Sequence, residues 1–211
     1  MENKLFTKVY GWMFIGLLIS FITGYFVSTN ETMVYNIAKS YIILVLVEMG
    51  LCIGLSAGIR SMNKITAQIL YILYTFFTGL TFSILFFVFK LSSITMVFGI
   101  TSLAFGIMAV IGSLTKIDIS KFGNILLMGL IAIIIASIIN IFVNSQLFDL
   151  GITIIGIVIF MLYIAYDVAK IKMTAEYLEE DKAAILCAFE LYLDFINIFV
   201  KLLRLFGKSK D

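Results

Sequence analysis

The sequence has no histidine and no proline among its 211 residues, and Asp, Glu, Lys and Arg together make up only 13% of it. Without imidazole, any proton-driven switch near neutral pH rests on carboxylates or other groups whose proton affinity is shifted by their surroundings. Without proline, the commonest helix-kinking device is missing. Soluble domains carry roughly 25% charged residues. A chain this poor in charge cannot cover itself in water, because exposed apolar patches beyond a few hundred Å² promote association. The net charge of +2 is too small for nucleic acid, and the basic residues stand between apolar segments instead of forming one face. Two cysteines, Cys52 and Cys187, lie inside apolar runs with no CxxC pair. They read as buried thiols, and neither a disulfide framework nor a metal motif is indicated.

What the chain has instead is apolar length. Hydrophobic residues make up 62% of it. An apolar run of about 20 residues, at about 1.5 Å rise each, crosses a hydrocarbon core of about 30 Å. On that rule the spans are Val9–Val27, Tyr41–Ile59, Ile65–Phe89, Leu91–Leu114, Phe122–Val143, Leu150–Tyr166 and Ala183–Phe206. The first follows Lys4 and Lys8 as a signal peptide would, but it is long and lacks an A-x-A-like exit, so it reads as a mature helix. Connectors are short and no low-complexity stretch divides the chain. The expected fold is all-α, an integral membrane bundle of about seven helices with the seventh central, as a single transmembrane domain over residues 1–211.

Lys and Arg in short loops set orientation. With a cytoplasmic N-terminus, that side holds Lys4, Lys8, Arg60, Lys64, Lys116, Lys121, Lys170, Lys172 and Lys182, against Lys39 and Lys90 opposite. The tail departs from the pattern. Lys201, Arg204, Lys208 and Lys210 lie outside if the seventh span crosses fully, or inside if it re-enters and returns.

A charge near the bilayer centre costs at least ~2.5 kcal/mol, so ionisable residues within spans are functional candidates. Glu48 in the second span, Asp167 at the end of the sixth, and Glu190 and Asp194 in the seventh qualify. Glu190, Asp194, Asn197, Lys201 and Arg204 follow at spacings of four and three, one stripe of a helix that must face protein or water. Asp194 falls near the midplane. The sixth and seventh spans, joined by a short acidic loop from Glu176 to Asp181, are expected to pack antiparallel and to bring Asp167 and Asp194 face to face. Two carboxylates at hydrogen-bond distance cannot both ionise cheaply, so such a pair shares a proton and titrates as a unit. Arg60, ending the second span on the same side as Asp167, is a candidate partner for the ionised carboxylate, released on protonation.

Plainer readings stand beside these. Asp167 at a helix end pairs with Lys170 or Lys172, or snorkels to the interface. Arg60 serves only as a topology anchor. Glu48 and Glu190 satisfy neighbouring hydroxyls such as those of Ser56 or Tyr192. Asn140 lines the same cavity or bonds between helices. Gly50, Gly54 and Gly58, at every fourth position, are expected to allow close helix packing.

The segment Glu190-Leu-Tyr-Leu-Asp-Phe-Ile-Asn-Ile-Phe199, with Tyr166-Asp167 and Ile171, resembles the closing helices of the bacterial branch of the Bax inhibitor family. Glu48 and Arg60, and the Asn140-Ile-Phe string in the fifth span, extend the likeness over essentially the whole chain. The resemblance implies a pH-sensitive calcium leak in a bacterial cell membrane. It assigns proton sensing and transient Ca²⁺ contact to Asp167 and Asp194 and the closed-state latch to Arg60. It implies no cofactor, since Ca²⁺ is the permeant ion, and no enzyme activity. Lipid, Ca²⁺ and protons are the expected partners, with Glu48, Glu190, Asn140 and Asn197 as supporting polar groups of the cavity.

Three other readings are weighed. Paired aspartates also serve intramembrane proteases, but the Gly-x-Gly-Asp string is missing, since Leu191-Tyr-Leu precedes Asp194, and a Pro-Ala-Leu element is ruled out by the absence of proline. A regulator of other membrane proteins finds no extramembrane surface here. A proton-coupled transporter of another cation or metabolite is the stronger rival, because acidic cavities serve both, although no internal repeat is detected.

Overall fold

The computed structural model describes residues 2–115 and 120–210. Lys116 and the side chain of Lys121, counted above among the cytoplasmic bases, lie outside that description. Eight helices are described: α1 (Glu2–Ser28), α2 (Glu31–Lys39), α3 (Tyr41–Gly58), α4 (Lys64–Val88), α5 (Leu91–Leu114), α6 (Ser120–Val143), α7 (Gln146–Tyr177) and α8 (Glu180–Phe206). All but α2 are long and apolar enough to cross a membrane. The protein is therefore a multi-pass membrane bundle, and α7 and α8 are the sixth and seventh spans.

Two elements depart from the hydropathy reading. The first connector holds a nine-residue helix, α2, started by Asn30, whose side chain accepts from the Met33 N–H at 3.1 Å. Too short to span, it leaves no mark in a search for apolar runs. The sixth span does not stop at Tyr166. Its helix continues to Tyr177, so Asp167 stands ten residues inside the helix end, about 15 Å along the axis. Charges from Asp167 to Glu176 end the apolar run there without ending the helix.

The helices sort into two compact units. One comprises the chain up to Ile94, Ile171–Tyr192 and the tail from Lys208; the other comprises Thr95–Lys170 and Leu193–Gly207. In the first unit α1 lies close against α4. A Cβ on Gly79 would stand 2.6 Å from Thr23 Cβ and 2.9 Å from the Ser20 carbonyl, and one on Gly24 would stand 3.1 Å from the Gly79 carbonyl. Gly16, Ser20 and Gly24 thus form the small-residue face, at every fourth position of α1. The expected stripe on α3 does not. Gly50 and Gly54 have nothing within 4 Å of where a Cβ would stand, and Gly58 meets only the flexible end of Met62. The helix α3 is largely lipid-facing, with 6% of its apolar window buried against 72% for α8.

Hydrogen bonds and rings fix the first half of α8 in this unit. Ser20 donates to the Thr75 carbonyl at 2.7 Å, which leaves the buried Tyr192 hydroxyl to donate to Ser20 at 2.6 Å. Tyr71 and Tyr74 meet Phe189 and Tyr192 edge-on, Tyr74 and Phe189 at 4.9 Å between centroids. At one end Lys8 bridges Glu180 and Asp181, both at 2.7 Å, and Lys64 reaches Asp181 at 3.5 Å. At the other end of α4 the tail pairs with the α4–α5 connection: Lys90 N–H donates to the Lys208 carbonyl at 2.9 Å and Lys210 N–H to that of Val88 at 2.8 Å. The start of α8 lies by the start of α4, and its tail by the end of α4. The seventh span therefore crosses fully, and the basic tail stands on the side of Lys90.

The second unit holds the rest of α5, all of α6, most of α7 and the second half of α8. Here Phe195 of α8 packs against Phe98 at 5.3 Å and Phe105 at 6.0 Å. Gly112 of α5 admits the backbone of α7 at Ala165, two residues before Asp167.

Candidate functional site

Antiparallel packing of α7 and α8 brings Asp167 and Asp194 into electrostatic contact in the second unit. Each residue is 4% exposed. Asp194 stands fourteen residues into α8, about 21 Å along its axis. Two carboxylates have no proton to donate, so any hydrogen bond between them requires that one be protonated. Lys170, one turn along α7, supplies the opposite charge: its Nζ lies 2.9 Å from Asp167 Oδ1 and 5.1 Å above the Tyr166 ring. An ammonium beside buried carboxyl groups offsets their negative charge, the condition under which burial is tolerated. Tyr163, a turn before Asp167, lies beside both aspartates.

The pairing of Asp167 with Lys170, one of the plainer readings of the sequence, thus coexists with the carboxyl pair. The Lys170 contact is short range on one helix, and spacing alone makes it legible. Tyr163 carries no such signal, since an aromatic residue in an apolar span reads as packing.

The remaining candidates lie elsewhere. Glu48 is half-buried in the first unit, where the Thr81 hydroxyl donates to its Oε1 at 3.2 Å; the hydroxyl partner is on α4 and not Ser56. Glu190 is half-buried in the same unit, two residues before Tyr192. Arg60 is exposed just past the end of α3, lining a cavity of about 340 Å³ with Tyr177, Leu178, Glu179 and Lys182. Its carbonyl accepts from Lys182 Nζ at 3.5 Å. Asn197, on the polar stripe of α8, donates from Nδ2 to the Leu193 carbonyl of its own helix at 2.8 Å. Asn140 Oδ1 accepts from Ser145 N–H at 3.1 Å, and Asn140 lines a cavity whose wall includes neither aspartate. Among the described residues no group of three or more Cys, Asp or Glu forms a metal-holding cluster.

A family model described as "Inhibitor of apoptosis-promoting Bax1" matches residues 2–211. An uncharacterised protein of Borreliella burgdorferi is 38% identical, covering 100% of this chain and 94% of its own. The inner membrane protein YbhL of Escherichia coli K12 is 36% identical, covering 96% and 91%. An uncharacterised membrane protein of Streptococcus pyogenes serotype M6 is 28% identical, covering 98% and 93%.

Proposed function

The chain belongs to the Bax inhibitor family, and on that footing we propose that it is a pH-sensitive calcium leak, its N-terminus cytoplasmic, in which Asp167 and Asp194 sense protons. The observation that carries this reading is the buried contact between the two carboxyl groups. Protons and Ca²⁺ compete for the same oxygens, because Ca²⁺ takes oxygen ligands and weak carboxylate sites admit an ion without trapping it. While the proton is shared, the pair offers one charge, already matched by Lys170. When the proton leaves, a second charge appears in a buried place, and the helices carrying it must either take up a cation or move apart. Acidification therefore inhibits permeation where the aspartates act mainly as ligands, and shifts the gate where they act mainly as partners of Arg60. Arg60 acts as the latch of the closed state in this scheme, and Glu48, Glu190, Asn140 and Asn197 line the polar route.

The test is Ca²⁺ flux into proteoliposomes over a pH series, with Ba²⁺, Mg²⁺ and Na⁺ as replacement ions. Asp194→Asn and Asp167→Asn are expected to abolish the pH dependence, and Arg60→Ala to raise flux at a pH where the carboxylate is ionised. Identical flux in all variants would sink the mechanism. Flux coupled one-for-one to protons and indifferent to Ca²⁺ would favour a proton-coupled transporter.

A further inference from the structure

A second polar cavity lies within the second unit, where the end of α6, the start of α7 and the last turns of α8 meet. Its volume is about 580 Å³, and its wall includes Asn140, Asn144, Asp149, Thr153, Lys201 and Arg204. Neither aspartate of the pair lines it, so it is distinct from the proton site.

The charges in this cavity do not balance. Lys201 and Arg204 are three residues apart on α8, where like charges face each other and repel. Asp149 is the acidic group of the lining, and among the described residues neither base forms an ion pair with a carboxylate. Lys201 is half-buried and its chain is held in place: a Cβ on Gly156 of α7 would meet Lys201 Cε at 2.6 Å and Nζ at 2.8 Å. The glycine leaves the room the lysine occupies. With the Asn140 carbonyl oxygen taken by Ser145 N–H, its amide NH₂ is left as a donor. A cation has little reason to rest against two bases. An anion with several oxygens has good reason, since a guanidinium offers paired donors and an ammonium a point charge, and both suit phosphate. The neighbouring surface is apolar, with Ile141, Phe142 and Leu147 75%, 84% and 80% exposed. The site lies at the ends of spanning helices, at the depth of lipid headgroups.

From these features we infer that the cavity between α6, α7 and α8 binds a phosphate-bearing anion, presented by an anionic phospholipid headgroup or as free phosphate. The site is distinct from the carboxyl pair, because neither Asp167 nor Asp194 lines it, and it shares only Asn140 with the polar route of the calcium reading. It gives Lys201 and Arg204 a task at a place where a cation pathway has no use for them.

The test uses the purified, delipidated full chain in a neutral detergent. Thermal unfolding is followed during titration with dihexanoyl phosphatidylglycerol, dihexanoyl phosphatidylcholine or inorganic phosphate. Stabilisation by phosphatidylglycerol and not by phosphate would identify a lipid headgroup; stabilisation by phosphate alone would identify the free anion. Lys201→Gln and Arg204→Gln should each weaken the apparent affinity about tenfold, the loss of one charge-assisted hydrogen bond. Asp149→Asn should tighten it. Arg204 is exposed and Asp149 lies in the first turn of α7, so those variants keep the test alive if Lys201→Gln fails to fold. No stabilisation by either anion, an equal response to phosphatidylcholine, or responses unchanged in Arg204→Gln and Asp149→Asn would overturn the inference.

Discussion

Lys170 holds Asp167 from one turn away, and in the proposed mechanism this contact sets how the carboxyl pair responds to protons. The ammonium lies 2.9 Å from the carboxylate oxygen and attracts its negative charge. Lys170→Gln removes that cation while leaving the aspartates in place. The flux of Ca²⁺ through the variant, measured in proteoliposomes, should need a more alkaline pH to reach half its maximum than in the unmodified protein. An unshifted profile would show that Lys170 merely solvates the helix surface. Asp167, Asp194 and Lys170 were all readable in the sequence, because an acid in an apolar span and a base three residues later stand out against so few charges. Tyr163 and Thr81 were not, because hydroxyl-bearing residues occur throughout these spans and only the fold selects which one faces a carboxylate.

Helix boundaries followed apolar length well where charge begins outside the membrane, as in α5, and poorly where charge is drawn inside, as in α7. There the acidic and basic residues from Asp167 onward ended the apolar run while the helix went on, which is how a charged helical segment hides in a hydropathy reading. Glycine spacing misled in a similar way. The repeat on α3 has the same period as the one on α1, yet only the latter faces a partner, and periodicity does not say which face is lipid. Gly79→Ala places a methyl against Thr23 and the Ser20 backbone and should cost about 1–3 kcal/mol. Gly50→Ala meets nothing and should change stability by less than about 0.5 kcal/mol. Thermal unfolding in detergent compares the two, and equal losses would contradict the assigned packing.

For the molecule as a whole, the pairing of the tail with the α4–α5 connection decides a question left open by counting bases. A full crossing by α8 puts Lys208 and Lys210 on the side opposite Lys8 and Lys64. In a background with Cys52 and Cys187 replaced by alanine, Ser209→Cys should react with an impermeant thiol reagent on intact cells. Lys4→Cys should react only after permeabilisation. Labelling of both from one side would contradict the crossing. The carboxyl pair is buried within its own unit, each aspartate 4% exposed.

The account stands or falls on whether Asp167 and Asp194 hold one proton between them, and infrared titration of the carboxylic-acid C=O stretch in the reconstituted protein measures this directly. The negative charge of each aspartate retains the proton of the other. The last carboxylic-acid signal should therefore persist to a higher pH in the unmodified protein than in either Asp167→Asn or Asp194→Asn. If that signal vanishes at the same pH in all three, the two carboxyls titrate independently and no shared proton exists to gate the path.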